Sequence, residues 1–175
     1  MRLGSLALEG AWTIEVEPLA DERGFFARTF DRALLEEAGL VADFPQHSIA
    51  VNTHAGTIRG MHFTRAPFEE TKIVRCTRGA AHDIIVDIRP TSASYRRSVA
   101  VELRGDNHRA LYIPPGFAHG YQTLADDTEI LYQIAPAYVP GYAAGLRFDD
   151  PALDLAWPLA VRVIAERDRT WPLLA

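Results

Sequence analysis

The stretch IPPGFAHGYQTL, residues 113–124, carries the most structural information in the chain. Two prolines and a glycine end one extended run in a rigid turn, because proline fixes φ and glycine accepts the sharp bend. His119 then opens the next extended run at a set distance from that turn. Working outward, the neighbouring runs have the same character: RALYI (109–113) and RSVAVEL (97–103) before it, HGYQTL (119–124) within it and TEILYQI (128–134) after it. Further upstream stand WTIEVE (12–17), GFFARTF (24–30), GTIRGMHF (56–63), TKIVRCT (71–77) and HDIIVDI (82–88). All are short, rich in β-branched or aromatic residues and bounded by Gly, Pro, Asn or Asp, which predicts strands. Many short strands at even spacing predict an all-β sandwich or barrel.

Helix is scarce. DRALLEEAGL (31–40) has Asp31 to cap its start, Leu34, Leu35 and Ala38 for one apolar face, and Gly39 to stop it. A second short helix is expected around AVRVIAERD (160–168), against the preference of its β-branched residues. With 175 residues, 48% of them hydrophobic, and no repeat, low-complexity tract or linker, the chain is expected to form a single domain over 1–175. A net charge of -5 argues against a general nucleic-acid or anionic-membrane surface while leaving room for a local basic pocket that holds a phosphate. Cys76 is the only cysteine and has no internal disulfide partner. The opening MRLGSLALEG has an apolar run too short for a signal peptide or a membrane span, so a cytoplasmic protein is expected.

The turn-and-histidine stretch 113–124 resembles the second signature of the cupins, small jelly-roll barrels whose mouth holds a ligand. GTIRGMHF followed by the Glu69 region resembles the first. Where a metal-binding cupin offers His-x-His, this chain has His62 then Thr64, leaving His62, Glu69 and His119 as candidate ligands. Three protein ligands suffice for a catalytic metal, so a metal-dependent oxygenase or isomerase stands as one reading.

A closer resemblance covers residues 12 to 172. DERGFFARTF, GTIRGMHF, EETKIVRC, VDIRPTSASY, IPPGFAHGYQTL, ILYQIAPAYVP, LRFDDP and AERD follow in the order of the dTDP-4-dehydrorhamnose 3,5-epimerase family of nucleotide-sugar enzymes. The resemblance implies a jelly-roll cupin barrel with a few short peripheral helices, no cofactor or metal, and a homodimer whose N-terminal segment crosses to the partner. The implied reaction inverts C3, C5 or both in a nucleotide-linked 4-keto-6-deoxy sugar. A 3,4-ketoisomerase and a sugar-binding cupin without catalysis are the other members of the same fold to weigh.

Inverting a carbon beside a ketone needs a base, a holder for the enolate and an acid on the opposite face. His62 suits the base, since an imidazole with a reference pKa of about 6.5 is available at neutral pH. The resemblance puts Asp168 behind it, although Asp149, Asp150 and Asp154 also lie late in the chain. Lys72 fits over the enolate oxygen, and Tyr132, by family position, supplies the returning proton. Each has a structural alternative: a core histidine, an outward edge lysine, a rim tyrosine. For binding, the resemblance implies Arg23, from the partner subunit, and Arg59 on the diphosphate, with Arg167 where the family commonly has lysine; Phe26 offers a stacking face. His119, Gln46 and Tyr138 complete the expected contacts. Arg28 stands where the family commonly has a glutamate that contacts the base, and Ala143 where another glutamate is frequent. An acceptor has become a donor, so the nucleotide is left open.

Overall fold

Strands that alternate between apolar and polar residues bury one face each, and two such sheets solve the problem together by packing face to face. The computed structural model describes residues 1–174 and arranges them in this way. In chain order the elements are β1 (Arg2–Ser5), β2 (Trp12–Glu15), β3 (Leu19–Asp21), β4 (Gly24–Phe26), α1 (Arg32–Glu37), β5 (Gln46–Asn52), β6 (Thr57–Thr64), β7 (Thr71–Arg78) and β8 (Ala80–Asp87). They continue as β9 (Ser98–Arg104), β10 (Ala110–Ile113), β11 (Phe117–Thr123), β12 (Thr128–Ala135), β13 (Ala143–Gly145), β14 (Val163–Ile164) and α2 (Glu166–Thr170). One sheet runs β1-β2-β10-β7-β12-β5, and the other β13-β6-β11-β8-β9 with β14 added parallel to β6. The fold is the expected all-β jelly-roll cupin barrel.

Leu8, Val74, Ile85, Leu103, Leu111, Ile113, Phe117 and Ile130 fill the space between the sheets. Each such side chain stabilises the fold by about 1.5–3 kcal/mol when fully buried. β11 is buried along its whole length because β6 and β8 flank it and the first sheet covers it. None of the helices is long and apolar enough to cross a membrane, among the described residues.

Asp31 caps α1 as expected, its carboxylate accepting from the backbone N–H of Ala33 and Leu34, and Leu35 is the face that becomes buried. Ala38 is exposed at the C-cap and does not share that face, and Gly39 takes the left-handed φ of 71° that ends the helix. Two further expectations are corrected. GFFARTF forms a strand only over Gly24–Phe26, in a two-stranded sheet with β3. Of AVRVIAERD, Val163 and Ile164 pair with β6, following their β-branched preference, and the helix starts only at Glu166.

β5 was not expected as a strand. Its odd-numbered residues His47, Ile49 and Val51 face outward, with Ile49 62% and Val51 49% exposed, so its alternation looks inverted in the sequence. Ser48, Ala50 and Asn52 face the barrel instead.

Candidate active site

The barrel mouth owes its geometry to an irregularity between β6 and β11. In a regular strand, residues three apart point to opposite faces. Here His62 pairs with His119 and Arg59 with Tyr121, so three steps along β6 match two along β11. This β-bulge brings Arg59 and His62 to one side, where both line the same cavity of about 280 Å³. Gly60 makes it feasible: its φ is +144°, and a Cβ there would lie 2.4 Å from the Gly120 Cα. Only glycine fits.

Lys72, His119, Tyr132, Ile134 and Arg167 join Arg59 and His62 around this cavity, with Ser48 and Ala50 at its β5 wall. Two adjoining lobes share His62 and Arg167. One, about 210 Å³, adds Tyr138, Ala143 and Trp171. The other, about 220 Å³, runs beside β14 to Asp168.

Asp168, in α2 and 1% exposed, lies with Oδ1 2.7 Å from His62 Nε2. Its carboxylate also accepts from the Gly60 N–H at 3.3 Å and the Trp171 indole N–H at 3.1 Å. Burial pushes the Asp168 carboxyl up, but the bond and charge of His62, helped by Gly60 and Trp171, hold it below the ordinary carboxylate range. With Nε2 engaged, Nδ1 of His62 is the ring nitrogen left to accept a proton. Asp149, Asp150 and Asp154 take no part in this pair.

His119 is held differently. Its Nε2 lies 2.9 and 3.0 Å from the two oxygens of Asp83, and both side chains are almost fully sealed. The Tyr132 ring meets the His119 ring edge-on at 6.2 Å. Burial pushes the Tyr132 hydroxyl well above the ordinary phenol range, with Tyr121 and Asp83 acting in the same direction, so it stays protonated at neutral pH. Lys72 Nζ lies 3.0 Å from Glu70 Oε2, both largely shielded.

The metal reading does not find its ligand set. His62, Glu69 and His119 do not converge: each histidine has Nε2 against an aspartate, and Glu70 rather than Glu69 turns toward the cavity. Among the described residues no three His, Cys, Asp or Glu side chains are grouped to hold a metal ion.

The remaining expected contacts divide in two. Arg59 Nε donates to Asn52 Oδ1 at 2.8 Å, and Gln46 Oε1 accepts from the backbone N–H of Tyr138 at 2.7 Å, tethering the segment that carries Tyr138 to β5. Arg23, Phe26 and Arg28 lie elsewhere. Arg23 projects from the β3–β4 hairpin with its side chain 85% exposed and is paired with Asp21. Phe26 and Arg28 line a separate depression, and Arg28 is 2.5 Å from the helix-capping Asp31. Within one chain these three do not line the His62 cavity. Asn52, Glu70, Asp83, Tyr121 and Trp171 were not among the expected site residues. Asp83 carried a visible signal, as a carboxylate directly before the apolar Ile84–Ile85–Val86 run of β8.

A double-sheet barrel with an aspartate-backed histidine, a lysine and a protonated tyrosine around one cavity belongs to the cupin-type barrels that carry acid–base groups at the mouth. The chain is a member of the dTDP-4-dehydrorhamnose 3,5-epimerase family, whose family model matches residues 5–175. It is 39% identical over 168 residues to the dTDP-4-dehydrorhamnose 3,5-epimerase of Methanothermobacter thermautotrophicus, covering 94% of this chain and 90% of that one. It is 34% identical over 176 residues to the dTDP-4-dehydrorhamnose 3-epimerase of Streptomyces niveus, covering 100% of this chain and 84% of the relative. The crystal structure of the Bacillus anthracis dTDP-4-dehydrorhamnose 3,5-epimerase with TDP and PPi bound superimposes with a TM-score of 0.95 at 34% identity, over 99% of each chain.

Proposed function

We propose that the protein is a cofactor-independent epimerase that inverts C3, C5 or both in a nucleoside-diphosphate 4-keto-6-deoxy sugar. The observation that carries this reading is the His62–Asp168 pair, closed at 2.7 Å on Nε2, with the His62 side chain lining the cavity beside Lys72 and Tyr132. His62 removes the proton beside the ketone through Nδ1. Asp168 holds the tautomer and stabilises the imidazolium that forms. Lys72 meets the enolate oxygen, where one preorganised donor supplies about 3 kcal/mol. Tyr132 returns a proton to the opposite face. The electrons of the broken C–H bond rest on the enolate oxygen between the two steps.

Arg59 and Arg167 are the cations for the diphosphate, with His119 and Tyr138 against the sugar. Arg23 and Phe26 would reach the His62 cavity only from a second copy of the chain, so the active form is read as a homodimer. The exposed Leu19, Phe25 and Phe26 on and beside that hairpin support such a contact. Sedimentation tests it directly, with a mass of twice 19.4 kDa expected. Because Arg28 is engaged with Asp31 and offers no acceptor, the nucleotide is chosen by experiment.

That experiment incubates the protein with nucleoside-diphosphate 4-keto-6-deoxy sugars in deuterated water. Label at C3 or C5 together with the inverted epimer is the expected result. A panel in which no substrate gains label or inverts would overturn the reading. Relatives named both as 3,5-epimerases and as a 3-epimerase make the label pattern the informative readout.

A further inference from the structure

Tyr132 is not alone at the end of the cavity. The hydroxyl of Tyr121, a side chain only 1% exposed in β11, is its neighbour and acts on its ionisation. Tyr121 in turn donates to Asn52 Oδ1 at 3.3 Å, and the same oxygen accepts Arg59 Nε at 2.8 Å. Asn52 cannot turn its amide around, because Nδ2 is already committed to the carbonyls of Ala50 at 3.3 Å and Thr128 at 3.1 Å. The result is an ordered line, Tyr132 to Tyr121 to Asn52 to Arg59, in which one hydroxyl has a choice of acceptors.

We propose that Tyr121 is the positioning residue for the reprotonating tyrosine, its hydroxyl turning from Asn52 to Tyr132 as Tyr132 gives up its proton. The inference rests on Tyr132 being the acid. In that step the Tyr132 O–H bond breaks and its electron pair stays on the oxygen, while the enolate pair forms the new C–H bond. Tyr121 keeps its own proton and changes only the acceptor. Asn52 Oδ1 loses one donor and retains Arg59, so no buried acceptor is left bare. Without Tyr121, the Tyr132 oxyanion would lose this donor, and hydrogen bonds to charged groups are the stronger ones.

The test is Tyr121→Phe, which keeps the ring and removes one oxygen, assayed in deuterated water beside wild type, Tyr132→Phe and the double variant, with a thermal melt of each. The expected result is inversion slowed about tenfold or more, with exchange at the His62-facing carbon unchanged. In the Tyr132→Phe background the added Tyr121→Phe is expected to cost nothing further, because the two act as one unit. Wild-type inversion in Tyr121→Phe overturns the proposal. So does an equal loss of exchange and inversion, or an equal further loss in the double variant, since each marks a packing role. If Tyr132→Phe itself inverts at the wild-type rate, the assignment of the acid falls and this inference with it; if only Tyr121→Phe behaves as wild type, the acid stands.

Discussion

Among the described residues, two histidine–aspartate pairs stand on cross-strand neighbours, His62 of β6 opposite His119 of β11, and they differ chiefly in what surrounds them. His62 keeps about a third of its side chain accessible, and its aspartate arrives from α2, a distant element at the chain's end. His119 is 6% accessible, and its aspartate comes from β8, the adjoining strand. The chemistry of the two pairs is the same. What separates the two is exposure: both line the same cavity, but His62 leaves far more of its side chain accessible than the nearly sealed His119.

The comparison breaks first at His62. His62→Asn is expected to reduce deuterium exchange and epimerisation together by about 10²–10⁴-fold, with little change in melting temperature, because Asp168 keeps its bonds from Gly60 and Trp171. Free exchange in this variant would remove His62 from the chemistry.

His119→Leu is expected to act on stability as well as on sugar binding. It leaves Asp83 buried without its partner, a change that costs about 3–5 kcal/mol. Denaturant unfolding measures this, and an unchanged midpoint would show that the two pairs are not divided as described.

A third variant, Asp168→Asn, sharpens the contrast by leaving His62 in place without its anchor. Epimerisation is expected to fall on the order of a hundredfold or more as the wrong tautomer is favoured. The smallest effect is in the pH dependence of stability. Since the folded carboxyl of Asp168 lies below its unfolded value, its contribution is complete above the ordinary carboxylate pKa of about 3.9 and is lost as pH falls through the folded value. Asp168→Asn is therefore expected to flatten the acid limb of a stability–pH curve. An unaltered limb would mean that the pair is looser than 2.7 Å implies.

Much of this was legible in the chain. The strands announced themselves by β-branched and aromatic runs between turns, and Asp31 marked the helix start by residue type alone. His62, Lys72, Tyr132 and Arg59 sit in motifs of local sequence and line one cavity. Other features needed three dimensions. A bulge has no signature beyond a glycine, so the reason that Arg59 and His62 share a face could not be read from their spacing. Asn52 and Tyr121 meet across a sequence separation of 69 residues. Nor does one chain's sequence state that Arg23 and Phe26 point away from their own cavity, which depends on the two-stranded sheet of β3 and β4.

The close approach of Gly60 and Gly120 has a consequence for how this protein tolerates change. Neither residue has a side chain to offer a substrate, yet any Cβ at Gly60 meets backbone, and one at Gly120 would come within 2.6 Å of the Met61 sulfur and 3.0 Å of the Arg59 carbonyl. A substitution at either would push the two strands apart and turn His62 and Arg59 off their common face. In a library covering every position, these two glycines should rank with the reacting residues among the least replaceable. The freedom to evolve new substrates then lies in the hairpin and β5, where side chains can be exchanged without moving the backbone that aims the base.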